Sequence, residues 1–261
     1  MKQVGLTYKE RIRNERRYFP SVLKALAENR HRIIELAKDN DPRLVKEIAE
    51  QKLNKDKLRG TVEKLWMDIG TASAGKIEEM IRRAKGKSVK IMYGMKKTNG
   101  REQLWNSRMQ HYVRERTAWK IERMMSTQLE MINRVIDDTI QQTIDEGLGV
   151  LESRKKLVQN LMSDEFVVIE RWQAKRIVQT EVGQAQNTGS WIAAQENAEG
   201  VRKEWLTSGD ERVRESHVHF GNLGPKEMNY YYANNLLYPC DPNGEAEEII
   251  NCRCVILYDV D

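Results

Sequence analysis

The sequence is poor in proline, cysteine and aromatic residues. Of its 261 residues, five are proline, three are cysteine and 7% are aromatic. Three cysteines are too few for the paired bridges of a small secreted disulfide-rich domain. The sequence also lacks an apolar run of about 18 residues, so it predicts no membrane-spanning helix. Because residues 1–19 are highly charged, we predict no signal peptide either.

The few prolines lie near the two ends of the chain, and none occurs between residues 43 and 224. Proline costs about 3 kcal/mol inside a helix, so its absence permits long helices. Apolar residues recur at helical spacing through most of this stretch. The predicted helices span residues 7–18, 21–39, 58–84, 101–147, 153–162 and 165–196, and a further helix begins at Asp41 and Pro42. Thr7 and Ser21 are the predicted caps of the first two. The weak helix formers at 70–75 predict a break in the helix 58–84.

The sequence changes character after Gly200. Residues 201–207 alternate in polarity as a strand does, and residues 254–260 form a second apolar strand. Residues 208–248 are rich in Gly, Asn, Pro and Tyr, which indicates loops. We therefore predict a predominantly helical α+β fold. A basic long-helix region (1–150) precedes a small C-terminal domain (151–261) with a short antiparallel sheet and long loops.

Charge divides unevenly along the chain. Residues 1–160 hold 35 Lys and Arg against 22 Asp and Glu, a net charge of +13, whereas residues 161–261 have a net charge of −8. A basic part of this kind can meet DNA or an acidic protein surface. The segment from 80 to 100 has basic residues and no acidic ones, and it predicts a basic loop or hairpin that contacts DNA non-specifically. Its basic residues are Arg82, Arg83, Lys85, Lys87, Lys90, Lys96 and Lys97.

All three cysteines lie in the last 22 residues, just downstream of two histidines. Sulfur and imidazole ligands grouped in a loop-rich segment are typical of a structural zinc site. The candidate ligands are His217, Cys240, Cys252 and Cys254, with His219 as an alternative to His217. A reduced, packed cysteine cluster and a disulfide that leaves one free thiol remain as the alternatives to zinc, in that order.

An enzyme is the alternative interpretation of the same region. The acidic residues there could serve a metal-dependent, nuclease-like DNA-processing enzyme together with the His/Cys cluster. These residues are Asp210, Asp241, Glu245, Glu247 and Glu248. The sequence contains no P-loop, HExxH, nucleophile elbow or dinucleotide fingerprint. A basic DNA-binding adaptor that acts outside any capsid is a third possibility.

Several C-terminal motifs occur in a recognisable order. They are RIVQTE (176–181), NTG (187–189), DERVRESH (210–217), YPCDP (238–242) and INCRC (250–254). Together they resemble the phage Mu F-like family of minor head proteins over about residues 165–257. The family usually has arginine where this chain has Gln179. The matching family positions are Glu181, Asn187, Asp210, Arg212, Arg214, Asn251 and Arg253.

The resemblance implies a structural, non-enzymatic minor capsid or head morphogenesis protein of a tailed bacteriophage or prophage. Such a protein would lie in the capsid interior, after assembly in the host cytoplasm, and would support head assembly and DNA packaging or delivery. Its implied partners are the portal protein and the major coat or scaffold protein. The long helices could also form a homo-oligomer. Asp210, Arg212, Arg214 and His217 would hold the loop region, beside a closing strand at residues 251–254.

Overall fold

The computed structural model describes residues 2–86 and 100–261. Within these residues the fold is α+β and mostly helical, which confirms the predicted class. The helices are α1 (Tyr8–Asp39), α2 (Pro42–Lys52), α3 (Asp56–Ala84), α4 (Gly100–Asp145), α5 (Val150–Leu161), α6 (Asp164–Gln195), α7 (Glu215–Asn222) and α8 (Ala246–Ile249), and the strands are β1 (Lys2–Gly5), β2 (Val201–Leu206), β3 (Lys226–Glu227) and β4 (Val255–Val260).

Helix α1 is one continuous helix, so the predicted start of a second helix at Ser21 is wrong. Its first turn has the predicted cap: the Thr7 hydroxyl accepts from the Glu10 N–H (3.3 Å), and the Glu10 carboxylate accepts from the Thr7 N–H (2.9 Å). Pro20 lies inside α1, with its ring exposed to solvent. The apolar residues on both sides of Pro20 bury on one helix face, and this packing outweighs the local cost of the proline.

The other predicted helix boundaries agree closely with the structure, except for the break near residue 70. Asp41 caps α2 through the Arg43 N–H (2.8 Å), and Pro42 begins the helix. Helix α3 continues through residues 70–75, where small side chains allow another helix to approach closely. Gly147 ends the long helix α4 with a left-handed φ of 62°.

The chain divides into two compact units. The first comprises Met1–Tyr18, Val62–Arg116 and Val178–Asp261, and the second comprises Phe19–Thr61 and Thr117–Ile177. In the second unit, apolar residues of α1, α2, α4, α5 and α6 form one core. Its buried members are Ile33, Ile34, Ala37, Val45, Ala49, Ile132, Ile136, Leu157, Leu161 and Phe166.

The first unit contains a four-stranded antiparallel sheet in the order β1-β4-β2-β3. The predicted pairing of the two C-terminal strands is confirmed, with Val201 opposite Val260 and Leu206 opposite Val255. Strand β1 adds an edge that the sequence analysis missed, pairing Lys2 with Val260. Residues 178–194 of α6 are almost entirely buried in this unit. This helix segment and the sheet position the C-terminal loops.

In the part of the chain that the structure describes, none of the helices combines the length and the apolar character needed to cross a membrane.

Candidate functional site

An imidazole and two thiols meet beside the sheet of the first unit. Helix α7 carries His217, and the segment entering β4 carries Cys252 and Cys254; each residue is at most 2% exposed. The indole ring of Trp205 on β2 packs edge-on against the His217 ring, with 4.9 Å between centroids. Phe220 contacts the same indole at 5.0 Å. The aromatic rings therefore bury the imidazole and fix its position.

One nitrogen of His217 faces both thiols. Its Nδ1 atom lies 3.4 Å from Cys254 Sγ and 3.6 Å from Cys252 Sγ. The three side chains offer ligand atoms that all lie within 4.8 Å of one another. This geometry brings together three of the four predicted zinc ligands.

The opposite nitrogen of His217 faces a carboxylate. Nε2 lies 2.8 Å from Glu248 Oε2, and Glu248 also accepts hydrogen bonds from the Ser216 hydroxyl (3.1 Å) and the Asn234 side-chain amide (2.7 Å). Histidine ligands of metals generally place their second nitrogen against such a carboxylate. Glu248 was named in the sequence analysis only as a nuclease acid, and nothing in the sequence indicated this positioning role.

Cys240 lies next to this group. Its Sγ atom is 3.5 Å from the Cys252 carbonyl oxygen, and its side chain is 1% exposed. The backbone of Cys240 is left-handed, with φ at 60°. This conformation costs a non-glycine residue about 1 kcal/mol or more, a cost that glycine would avoid. Contacts of the Cys240 thiol must therefore offset this cost. Cys240, the fourth predicted ligand, thus lies beside the other three residues, but its Sγ atom does not belong to the group of ligand atoms within 4.8 Å of one another.

The three thiols differ in acidity because they interact with one another. Hydrogen bonds from Cys240 and Cys254, with a further one from His217, hold the pKa of Cys252 well below its ordinary value despite burial. The same hydrogen bond to Cys252, together with burial, raises the pKa of Cys240 and of Cys254.

A fully buried arginine of α1 organises the backbone around the cysteines. Arg11 donates to the carbonyl oxygens of Cys252, Cys254 (3.3 Å) and Gln179 (2.8 Å). Its Nε atom lies 3.0 Å from Glu15 Oε1. Although burial alone would lower it, the neighbouring side chains of Cys240 and Glu15 raise the pKa of the Arg11 guanidinium. Sequence analysis missed this residue, because it is one of several arginines in a basic helix.

The niche for the guanidinium depends on Gly183 of α6. A Cβ atom at this position would lie 2.6 Å from Arg11 Nη2 and 2.8 Å from Cζ. The N-terminal helix, α6 and the cysteine segment therefore form one structure around Arg11.

Comparison with known proteins adds the decisive observation. Residues 134–257 match the family model described as phage Mu protein F like protein. The resemblance of this part of the chain to the phage Mu F-like family is thereby confirmed. The matched segment covers just under half of the chain and includes His217 and all three cysteines. No curated protein and no solved structure shows significant similarity to the chain.

The charged positions of the phage Mu F-like motif bind the loops of this region. Arg253 contacts both carboxylate oxygens of Asp210, with Nη2 to Oδ1 at 2.6 Å. Asp210 also accepts from the Arg212 N–H (3.0 Å). Arg214 donates to the Ile250 carbonyl oxygen (2.7 Å). These contacts tie the DERVRESH segment to the INCRC segment.

The amide and acidic positions of the motif act in the interior of the unit. Asn187 donates to the carbonyl oxygens of Pro239 (2.8 Å) and Cys254 (3.1 Å). Glu181 accepts from the Trp66 indole N–H (2.6 Å). The Asn251 N–H donates to the Thr180 hydroxyl (2.9 Å), with Asn251 in a left-handed conformation. At Gln179, where the family usually has arginine, the backbone carbonyl accepts from Arg11.

A buried lysine holds the long loop of the phage Mu F-like region. Lys203 on β2 donates to the carbonyl oxygens of Met228 (2.9 Å), Tyr230 (2.6 Å) and Leu237 (2.6 Å). Burial lowers the pKa of Lys203 to about 8, while Asp241 opposes the shift. Its three ammonium donors thus replace regular secondary structure in residues 228–237.

The remaining predicted site residues lie apart from this group. His219 is exposed on α7, so the structure favours His217 as the ligand. Arg82 and Arg83 are in the last turn of α3, where Arg83 pairs with Glu79. Lys85 follows the helix and donates to the Asn197 carbonyl oxygen (3.1 Å). Lys87, Lys90, Lys96 and Lys97, and the predicted hairpin that contains them, fall outside the described residues.

Proposed function

We propose that this protein is a structural, non-enzymatic component of the head of a tailed bacteriophage or prophage. It would lie inside the head, bound to the portal protein or to a coat or scaffold protein, and support head assembly and DNA packaging or delivery. The observation that carries the proposal is the phage Mu F-like match over residues 134–257. The family points to phage head morphogenesis; the position inside the head and the partners are our inference.

The burial of Asp241 and the pairing of Asp210 and Glu248 support a structural role over a nuclease. The Asp241 carboxylate is fully buried and accepts from the N–H groups of Leu237 and Asn243, both at 2.9 Å. Asp210 is paired with Arg253, and Glu248 lies against His217. His217 itself is 1% exposed. A DNA strand would have to open this interior before it reached the imidazole.

An exposed apolar surface in the second unit supports binding to another head protein. Val168, Ile169 and Trp172 lie within one turn of α6, and each is more than half exposed. Met162, just before this helix, is equally exposed. Arg176 stacks over the Trp172 ring at 5.7 Å. Grouped apolar side chains rimmed by charge are typical of protein–protein contact sites. A portal or coat protein is the occupant we propose.

Deleting the gene from its phage or prophage tests the proposed role. We expect few or no DNA-filled heads after induction, and a plasmid copy of the gene should restore them. Electron microscopy and the yield of nuclease-protected DNA measure the effect. A deletion that leaves the yield of filled heads and of infectious particles unchanged would contradict a role in assembly, packaging or delivery.

A DNA cleavage assay on the purified protein distinguishes the structural role from nuclease activity. With Mg²⁺ or Mn²⁺ present we expect no cleavage of linear or single-stranded DNA. Cleavage that disappears in a His217→Ala variant, but persists in a His219→Ala variant, would instead support the enzyme. The exposed His219 is the matched control because it lies on the same helix.

DNA binding by the basic segment, residues 80–100, can be tested separately through its dependence on salt concentration. Changing Lys87, Lys90, Lys96 and Lys97 to glutamate should weaken binding to duplex DNA. Each lost phosphate contact should lower the steepness of the salt dependence by about 0.9. Fluorescence anisotropy over a range of salt concentrations measures this slope. The matched control reverses the charge of four exposed lysines elsewhere: Lys24, Lys52, Lys155 and Lys175. An equal loss in the control variant would place the contact outside the basic segment.

A further inference from the structure

We propose that His217, Cys240, Cys252 and Cys254 bind one structural zinc ion. Zinc prefers nitrogen and sulfur ligands in tetrahedral geometry. With Zn–S near 2.3 Å and Zn–N near 2.0 Å, a tetrahedral site separates its sulfur and nitrogen atoms by about 3.5 Å. The Nδ1 atom of His217 lies 3.4 and 3.6 Å from the two nearest thiols. The imidazole nitrogen thus already lies at the distance from each of these two sulfur atoms that a shared zinc ion would impose.

The fourth ligand is Cys240. It is buried in the same core cluster as Cys252 and Cys254, and its thiol faces the Cys252 carbonyl oxygen. Structural zinc sites are closed by four protein ligands. Turning the Cys240 thiol away from this carbonyl and toward the other two sulfur atoms completes a Cys₃His set. The left-handed backbone of Cys240 is explained if the thiol, which glycine lacks, is required there.

Neighbouring groups provide what such a site needs around it. Glu248 lies 2.8 Å from Nε2 of His217, so a proton on Nε2 would face this carboxylate and leave Nδ1 free for the metal. Three thiolates and one Zn²⁺ carry a single net negative charge. The buried guanidinium of Arg11 lies 3.9 Å from Cys240 Sγ and offsets that charge. Binding releases the protons of the thiols to solvent, so zinc affinity should rise with pH.

The zinc ion would clip a segment with little regular structure. Between His217 and Cys252 the described elements are the remainder of α7, the two-residue strand β3 and the single-turn helix α8. A metal that joins the two ends of such a segment contributes its binding free energy to folding. We therefore assign the ion a structural role. The assignment is independent of the proposed function, since a head protein without zinc and a zinc protein outside the head are separately detectable.

The test begins with the full chain, purified under reducing conditions. We expect about one zinc per chain by elemental analysis after gel filtration. After a chelator has removed the zinc and Co²⁺ has been added, the protein should show the strong thiolate-to-cobalt absorption and the visible bands of a tetrahedral site. The three cysteines should resist alkylation until a chelator is added. A chain that is folded and reduced, holds no zinc and gives no Co²⁺ absorption overturns the proposal. An intact mass showing a disulfide in protein isolated from the cytoplasm also overturns it.

Variants test the individual ligands. His217→Ala should lower Zn²⁺ affinity at least tenfold, and the matched His219→Ala should leave it unchanged. Cys240→Ser should lower the thiolate-to-cobalt absorption by about a third, because one of three sulfur ligands is lost. Unchanged absorption in Cys240→Ser would remove Cys240 from the site. If His217→Ala fails to fold, the Co²⁺ spectrum of the unmodified chain still decides whether the site exists.

Discussion

Replacing Arg11 with methionine should lower the free energy of unfolding by about 3–5 kcal/mol, the largest effect we expect from one substitution. Methionine fills much of the same volume but donates no hydrogen bond. The carbonyl oxygens of Gln179, Cys252 and Cys254 would lose their buried donor, and Glu15 would lose its ion-pair partner. Removing one member of a buried charged pair costs about 3–5 kcal/mol. Urea denaturation followed by circular dichroism measures the change.

The control for Arg11 is Arg13→Met. Arg13 lies on the same helix but is exposed, so its replacement should change stability by no more than about 0.5 kcal/mol. Equal effects of the two substitutions would show that Arg11 does not hold the cysteine segment. A loss confined to Arg11→Met would establish that residues 2–18 are a structural part of the unit that contains the phage Mu F-like motif.

Replacing Gly189 with alanine should be the second most damaging change. A Cβ atom at Gly189 in α6 would lie 2.0 Å from the carbonyl oxygen of Gly70 in α3, and 2.7 Å from its carbonyl carbon. Both neighbours are backbone atoms, so the two helices would have to separate. We expect a loss of about 3 kcal/mol or more, at the upper end of overpacking effects. Thermal unfolding of the purified variants measures it.

The control for Gly189→Ala is Gly60→Ala, which we expect to raise the stability of the protein and not to lower it. Gly60 lies in α3 with nothing within 4 Å of a Cβ atom, and it is exposed. Alanine is favoured over glycine in a helix by about 1 kcal/mol, so Gly60→Ala should stabilise the protein. If Gly189→Ala also stabilised it, the close approach of α3 and α6 would be refuted.

These two positions show how far the sequence alone predicts the fold. Periodic apolar residues and the scarcity of proline predicted the helical class and most helix boundaries. The weak helix formers at 70–75 predicted a break because local propensity was weighed without the neighbouring helix. In the structure Gly189 of α6 packs against the backbone of Gly70, and the Met109 side chain fills the space beside Gly70. Pro20 was misleading for the same reason, since burial of the apolar residues on both sides keeps α1 continuous.

The candidate site was predictable only in part. The grouping of histidine and cysteine in a loop-rich segment identified His217, Cys252 and Cys254, which the structure brings together. The positions of Arg11 and Glu248 depend on contacts between distant segments, and neither residue stands out from similar neighbours in the sequence. Strand β1 was missed because its four residues, KQVG, are partly polar and lie at the edge of the sheet.

The protein composition of purified heads tests the central claim most directly. Heads isolated from the phage or prophage that encodes the chain should contain it in few copies, by mass spectrometry calibrated against the major coat protein. Protease added to intact heads should leave the chain whole, and protease added after the heads are opened should degrade it. Absence from assembled and precursor heads, or digestion while the heads remain intact, would contradict an internal head component.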